Sequence, residues 1–318
     1  MSTKRVLLID TIHPIFKKRL LKNGVQCDDG FALSKEEVLA NIENYIGICI
    51  RSRFKIDAHF IDNASNLKFI ARAGAGMENI NVEYAEEVGI HCLHAPEGNR
   101  DAVGEHAMMM LLALMNNLRR SDAEVRNGIW KREENRGDEI QGKTIGIIGF
   151  GNMGKSFSKK LIGFEAKILA YDKYVEIESA TFSNVEQVEM EAIFERCDIV
   201  SLHLPLSEET NYFADEHFFN AFKKPIYFIN TARGKNVDTA ALCNAMKNGK
   251  VKGAALDVIE YESTSFEKLD ATQLPAPFQY LAASDKAILT PHIAGWTHES
   301  NIKIAEVLVE KILKVLNS

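Results

Sequence analysis

Residues 143–157 read KTIGIIGFGNMGKSF, and a second apolar run, ILAYD, closes on Asp172, 18 residues past the last glycine of the first stretch. The run at 145–148 has the character of a strand buried on both faces. It feeds into Gly149, Gly151 and Gly154 in GxGxxG spacing, and a helix pattern follows. Gly149 permits a tight turn, Gly151 lets a pyrophosphate approach the backbone, and Gly154 lets helix and strand pack closely. The first helical turn, Asn152 and Met153 included, offers unpaired N–H groups and the positive end of a dipole to phosphate. Asp172 is placed to accept hydrogen bonds from ribose hydroxyls, and its charge repels a 2′-phosphate, which favours NAD over NADP. Glycine-rich turns have many uses. Here strand, turn, helix, strand and acid stand in order, which is the context a dinucleotide site requires.

Composition agrees with a globular, ligand-binding chain. The 318 residues suffice for two domains with substantial cores, and 46% hydrophobic with 26% charged residues is ordinary for such proteins. No apolar run approaches the ~20 residues that span a membrane, and the start MSTKRVLLID reads as a polar lead into a strand rather than a signal peptide. A net charge of −6 argues against nucleic acid as a partner. The five cysteines (Cys27, Cys49, Cys92, Cys197, Cys243) show no metal spacing and fit a reducing, cytoplasmic setting; no metal is expected.

Strand and helix patterns alternate throughout, which implies two doubly wound parallel sheets with covering helices: an α/β fold with a dinucleotide-binding domain and a smaller flavodoxin-like one. The first block runs from RVLLID through a helix stopped by Gly24, a helix capped by Ser34, and strands IGICI, KFIARAG and HCLHAP, the last ending at Pro96. Residues 103–118 are apolar on nearly every side, so that helix is expected to be buried between domains or subunits, which points to a homodimer. Six strands follow, near 145–149, 167–171, 199–204, 226–230, 253–257 and 287–290. The closing helix pattern, 301–316, is expected to pack back on the first block. The substrate domain is then 1–96 with 297–318, the NAD-binding domain 97–296, with chain crossings near 97–100 and 291–296 as the hinge beside an interdomain cleft.

Three segments at strand ends carry candidate chemistry: INTARG with Arg233, ALDVIEYE with Asp257 and Glu262, and LTPHIAG with His292. Hydride transfer at an alcohol carbon needs a cation for a carboxylate, an acid–base group and a positioned nicotinamide. Each residue alone has a plainer explanation as packing or surface; together behind a dinucleotide fingerprint they favour the chemical one. Over essentially its full length the chain resembles the D-isomer-specific 2-hydroxyacid dehydrogenases, whose three catalytic blocks look like NTARG, ALDVIEYE and TPHIAG, in that order. The resemblance implies that Arg233 binds the carboxylate and keto oxygen of a small 2-oxoacid. It also implies that His292 is the general acid with Glu262 its partner, and that Asp257 lies near the nicotinamide. A carboxylate beside His292 favours the imidazolium and keeps a proton available. LHLPLSEETNY looks like the family's cofactor-side loop, which adds His203, Pro205 and Thr210 to the NAD contacts, together with Thr231, Ala232 and Arg233.

In the first block RAGAGMENIN looks like the family's substrate loop, with backbone N–H groups of Ala75 and Gly76 receiving the carboxylate. Arg51, Arg53 and Arg72 admit two readings: a phosphate clamp of the 3-phosphoglycerate dehydrogenase kind, or surface arginines. The family's usual proline after the catalytic glutamate is Ser263 here, 29 residues separate Glu262 from His292, and Trp296 stands where the family often has a small residue. The excess, about 263–278, is expected to be a surface loop, and Trp296 is expected to narrow the pocket. No regulatory domain is expected after Ser318. The leading expectation is NAD-dependent turnover of 3-phosphoglycerate/3-phosphohydroxypyruvate, as in serine biosynthesis. A glyoxylate/hydroxypyruvate reductase or D-lactate-type dehydrogenase is the alternative within enzymes, and an NAD-sensing scaffold the alternative outside them.

Overall fold

A computed structural model describes residues 4–178, 180–262 and 274–318. These residues form two compact units, 4–100 with 296–318 and 101–262 with 274–295.

In the first unit, strands β1 (Lys4–Leu8), β2 (Val25–Asp29), β3 (Gly47–Ile50), β4 (Phe69–Arg72) and β5 (His91–His94) pair in parallel in the order β2-β1-β3-β4-β5. Apolar side chains leave both faces of this sheet, as parallel sheets require. Ile48, Ile50 and Ile70 pack with Phe60 and Ile61 in one cluster, and Val6, Leu8 and Phe69 pack in another with Phe16, Leu20 and the helix His298–Asn317. That helix contributes Ala305, Leu308, Val309 and Ile312, and Thr297 starts it with a capping box. Ser34 does the same for helix Lys35–Asn41, where its hydroxyl accepts from Glu37 N. Strand β2 (VQCDD) carries no apolar run because it is an edge strand, paired to β1 alone.

The second unit holds seven parallel strands: β6 (Thr144–Ile148), β7 (Lys167–Tyr171), β8 (Val185–Gln187), β9 (Ile199–Leu202), β10 (Ile226–Asn230), β11 (Val251–Leu256) and β12 (Ala287–Leu289). Their order is β12-β11-β10-β9-β6-β7-β8. The order reverses between β6 and β9, so a crevice opens at the C-terminal ends of those two strands. The sheet has one strand more than the six that apolar runs reveal, because β8 (VEQ) is a short polar edge.

Four local readings change. Pro96 does not end a strand; it is the first residue of the helix Pro96–Met115, where its missing N–H costs nothing. That helix stops before Leu118: Asn117 adopts a left-handed conformation (φ 50°) and a separate helix, Leu118–Arg126, begins. Nor does the apolar helix need a second subunit to cover it. Ala107, Met110, Leu111 and Leu114 pack on Ile145, Ile147, Ile199 and Ile229 of its own sheet, and Met109 alone among its large apolar residues is exposed. Finally, Pro275 is the N-cap of helix Ala276–Ala283, with Pro277 in its first turn, so that part of the expected surface loop is helical. The remainder, 263–273, lies outside the described residues.

The glycine turn explains why β6 and helix Asn152–Lys160 stand so close. A Cβ on Gly154 would lie 2.1 Å from Gly149 O, and one on Gly149, whose φ is +90°, would lie 2.7 Å from His203 O. Gly154→Ala therefore has no rotamer solution and must displace backbone. We expect a loss of about 1–3 kcal/mol, measured as a lower midpoint in chemical denaturation; an unchanged midpoint would refute the close packing.

Candidate active site

The C-terminal ends of β6, β9, β10 and β11 deliver most of the sequence-identified residues to one edge of the second sheet. The helix after the glycine turn starts at Gly151 without a side-chain cap, and a Cβ there would meet nothing within 4 Å. Open space thus lies against the unpaired N–H groups of Asn152 and Met153. At the neighbouring strand ends, His203 Nδ1 and Thr231 Oγ1 are buried and have no hydrogen-bond partner among the described residues. Open space at a helix N-terminus beside two orphaned polar atoms fits a dinucleotide.

Asp172 does more than await a ribose. Its carboxylate accepts from Phe150 N (2.6 Å), Tyr174 N (2.9 Å) and Val175 N (2.9 Å), tying the glycine turn to the end of β7. Of about four acceptor positions on a carboxylate, three are engaged. The loop 203–212 is braced from within: Thr210 Oγ1 donates to Pro205 O (2.6 Å), and Ser207 N donates to Thr210 Oγ1 (2.8 Å).

Two asparagines that sequence reading missed shape the Arg233 turn. Asn230 Oδ1 accepts from Ala232 N (2.9 Å), and its amide donates to Arg233 O (2.9 Å). Asn236 Oδ1 accepts from Arg233 N (3.1 Å), while its amide reaches Thr210 O (3.0 Å). Both are fully buried, so their partners must be internal. The one available signal was a pair of Asn residues flanking an arginine turn that directly follows a strand. Arg233 Nη1 donates to Ala232 O (2.7 Å).

The expected contact between His292 and Glu262 is formed. His292 Nδ1 donates to Glu262 Oε2 at 2.7 Å, with side chains 26% and 18% exposed. Glu262 Oε1 accepts from Ile259 N, which fixes the carboxylate. The nearby Glu260 has a different task, capping helix Thr239–Lys247 through Thr239 N (3.0 Å). His292 has φ +55°, a conformation that non-glycine residues hold only when their surroundings impose it.

Asp257 supplies that imposition rather than turning its carboxylate solely toward a cofactor. It is 1% exposed. Its oxygens accept from Thr290 Oγ1 (2.6 Å), Ile293 N (2.9 Å) and Ala294 N (2.8 Å), and its carbonyl accepts from His292 N (2.8 Å). Burial alone would raise its pKa; the nearby imidazole of His106 and the hydrogen bonds from Thr290, Ala294 N and Ile293 N outweigh that and hold it below the usual value.

In the first unit the three arginines separate. Arg53 is a structural clamp: its guanidinium donates to Ile9 O (3.1 Å), Gly30 O (3.0 Å) and Leu33 O (2.6 Å), so the phosphate reading does not suit it. Arg51 lies 4.8 Å over the ring of Trp296, which is 67% exposed. Arg72 folds back over Gly74, its Nη1 1.8 Å from where a Cβ would stand. The N–H groups of Ala75 and Gly76 have no hydrogen-bond partner among the described residues, as an anion-receiving turn requires.

Among the described residues no helix is long and apolar enough to cross a membrane, and no group of three or more His, Cys, Asp or Glu stands ready for a metal. Residues 108–294 match the model of the D-isomer specific 2-hydroxyacid dehydrogenase, NAD binding domain. The chain is 36% identical over 284 residues to the hydroxypyruvate reductase of Thermotoga maritima, covering 89% of each. It is 34% identical over 311 residues to the D-3-phosphoglycerate dehydrogenase of Archaeoglobus fulgidus; 98% of this chain spans only 57% of that relative. The solved D-lactate dehydrogenase from Aquifex aeolicus, complexed with NAD and lactic acid, has a TM-score of 0.83 and 27% identity over 99% of this chain and 96% of that one. The chain belongs to the D-isomer-specific 2-hydroxyacid dehydrogenase family, NAD-dependent oxidoreductases of CH–OH groups.

His203 gives a pH prediction. Burial lowers its pKa from 6.5 to about 3, so the folded protein keeps it neutral. The unfolded chain binds a proton near pH 6.5, so the residue's stabilising contribution is complete above that pH and declines as pH falls toward about 3. Between pH 7 and pH 5 it should account for a loss of about 2 kcal/mol. His203→Gln should lose that much less between the same two pH values in chemical denaturation; an equal loss in both proteins would mean His203 is not held neutral.

Proposed function

We propose that the protein transfers hydride between NAD(H) and a D-2-hydroxyacid/2-oxoacid pair. The observation that carries this reading is the 2.7 Å His292–Glu262 pair, held on a turn beside the strand ends that carry Arg233. Bound NADH supplies the hydride. The remaining work falls to this chain's own residues. Arg233 holds the substrate's carboxylate and keto oxygen. Glu262 keeps the Nδ1 proton of His292 in place, so that Nε2 gives up its proton to the nascent alkoxide. Gly149, Gly151, Asn152, Met153 and Gly154 receive the pyrophosphate, and Asp172 receives the ribose with its remaining acceptor capacity. His203, Pro205, Thr210, Thr231 and Ala232 line the cofactor side. Ala75 and Gly76 offer their N–H groups to the carboxylate.

The favoured substrate pair is 3-phosphoglycerate/3-phosphohydroxypyruvate, the chemistry of serine biosynthesis, with Arg51 and Arg72 binding the phosphate. Glyoxylate or hydroxypyruvate reduction is the second reading; it is supported by the loss of Arg53 from the clamp and by the indole of Trp296 against Arg51. The protein is proposed to act as a homodimer in a cytoplasmic setting. Leu118, Val125, Ile129 and Trp130, large apolar residues exposed within one short stretch, support the dimer.

His292→Ala should lower kcat by ~10²–10⁴-fold and leave NADH affinity unchanged in a fluorescence titration. More than about a tenth of the wild-type turnover would remove His292 from the mechanism. Substrate class is tested with Arg51→Ala and Arg72→Ala, assayed on 3-phosphohydroxypyruvate and on glyoxylate. Each should raise KM for the phosphorylated acid by roughly ten- to a hundred-fold, one charge-assisted contact being worth ~1.5–3 kcal/mol, with little effect on glyoxylate. Parallel losses on both, or no wild-type activity on the phosphorylated acid, would favour the second reading.

A further inference from the structure

His106 lies on the apolar helix Pro96–Met115 and belongs to none of the catalytic blocks. Its Nε2 is 3.0 Å from Thr290 Oγ1 and 3.5 Å from Asp257 Oδ1, and its side chain is 12% exposed. A hydroxyl has a single proton. Thr290 directs its proton to Asp257, at 2.6 Å, so toward His106 it can only accept. The proton between the two therefore sits on His106 Nε2. A chain of donors results, from His106 to Thr290 to Asp257, and the same carboxylate receives Ile293 N and Ala294 N, the two N–H groups that follow His292.

We infer that His106 is a positioning residue for the acid–base pair, acting through Thr290 and Asp257 to hold the turn on which His292 stands. The inference rests on the assignment of His292 as proton donor. The physical link is the charge on Asp257. A carboxylate has acceptor capacity for every donor around it, whereas a protonated carboxyl turns one oxygen into a donor. One buried N–H of the turn then loses its partner, and His292, in the left-handed region at φ +55°, loses the contacts that keep it there.

Among the described residues, the titratable side chain facing Asp257 from helix Pro96–Met115 is His106. From the 290–294 turn the titratable residue is His292, whose ring is paired with Glu262. After the opposing effect of burial, the imidazole of His106, 3.5 Å away, is the largest influence on Asp257, and it keeps the carboxyl ionised to lower pH. A group whose pKa is held low keeps its charge above that pKa and loses it as pH falls. Taking His106 away therefore moves the loss to higher pH.

The test compares His106→Leu, which removes the donor, with His106→Gln, whose amide can still donate, in the full chain. For each, kcat against pH, KM for the 2-oxoacid and NADH affinity by fluorescence are measured. For His106→Leu we expect kcat down about tenfold near neutral pH, the acid-side fall in kcat moved up by about one pH unit, and NADH affinity within about twofold. His106→Gln should recover most of kcat and the original profile. Thr290→Val removes the middle link, so it should reproduce the displaced profile, and the double variant should be no worse than the poorer single one. A wild-type profile in His106→Leu would overturn the inference, as would losses that add in the double variant. If His106→Leu fails to fold, the profiles of His106→Gln and Thr290→Val decide: a wild-type profile in Thr290→Val overturns it. Should His292→Ala keep its turnover, the donor assignment fails instead, which is a separate outcome.

Discussion

The absence of two methyl groups governs the second unit. Gly154 brings its helix to within 2.1 Å, measured from a notional Cβ, of the carbonyl of Gly149, and Gly149 itself stands against the carbonyl of His203. These contacts join the end of β6 to the end of β9, where the strand order reverses. Because every strand in the sheet is parallel, the ends of β10 and β11 open on the same edge. Arg233 and Asp257 follow those ends, and the turn bearing His292 follows the neighbouring parallel strand β12. One backbone approach thus sets where the cradle lies, and the parallel topology brings the chemistry to it.

Parts of this arrangement are visible in the letters of the chain for a physical reason. Strands buried on both faces must be apolar throughout, so β6, β7, β9, β10 and β11 announce themselves. Edge strands need not be apolar, and β2 and β8, each paired on one side, pass unnoticed. Pro96 misleads because proline both ends strands and begins helices. Asn117 sits in a polar stretch where a left-handed break leaves no pattern. The pair His292–Glu262 is legible because each lies in a distinctive block. The separate tasks of Glu260 and Glu262 are not, since they are set by partners more than 20 residues away.

The same distinction governs the arginines of the first unit. As letters, Arg51 and Arg53 are equivalent. In the fold one lies over an indole and the other closes three loop carbonyls, a difference that depends on where Ile9, Gly30 and Leu33 arrive. A stacked guanidinium keeps its in-plane N–H edge oriented by the ring beneath it. On the proposed phosphate reading of Arg51, Trp296 bears on how the anion meets the guanidinium as well as on how much room it has.

The first unit is assembled from two distant stretches of chain. Its core cluster around Phe16, Leu20 and Phe69 includes Ala305, Leu308, Val309 and Ile312, yet residues 101–295 are synthesised in between. At ~5–20 residues per second that interval lasts about 10–40 s. During it, the sheet face that the closing helix covers stays open to solvent on the ribosome, apolar and unfinished. The second unit's last core strand, β12 with Ala287, is itself made only near the end of that interval. The first unit therefore keeps one face open until a stretch made after the whole second unit arrives to close it.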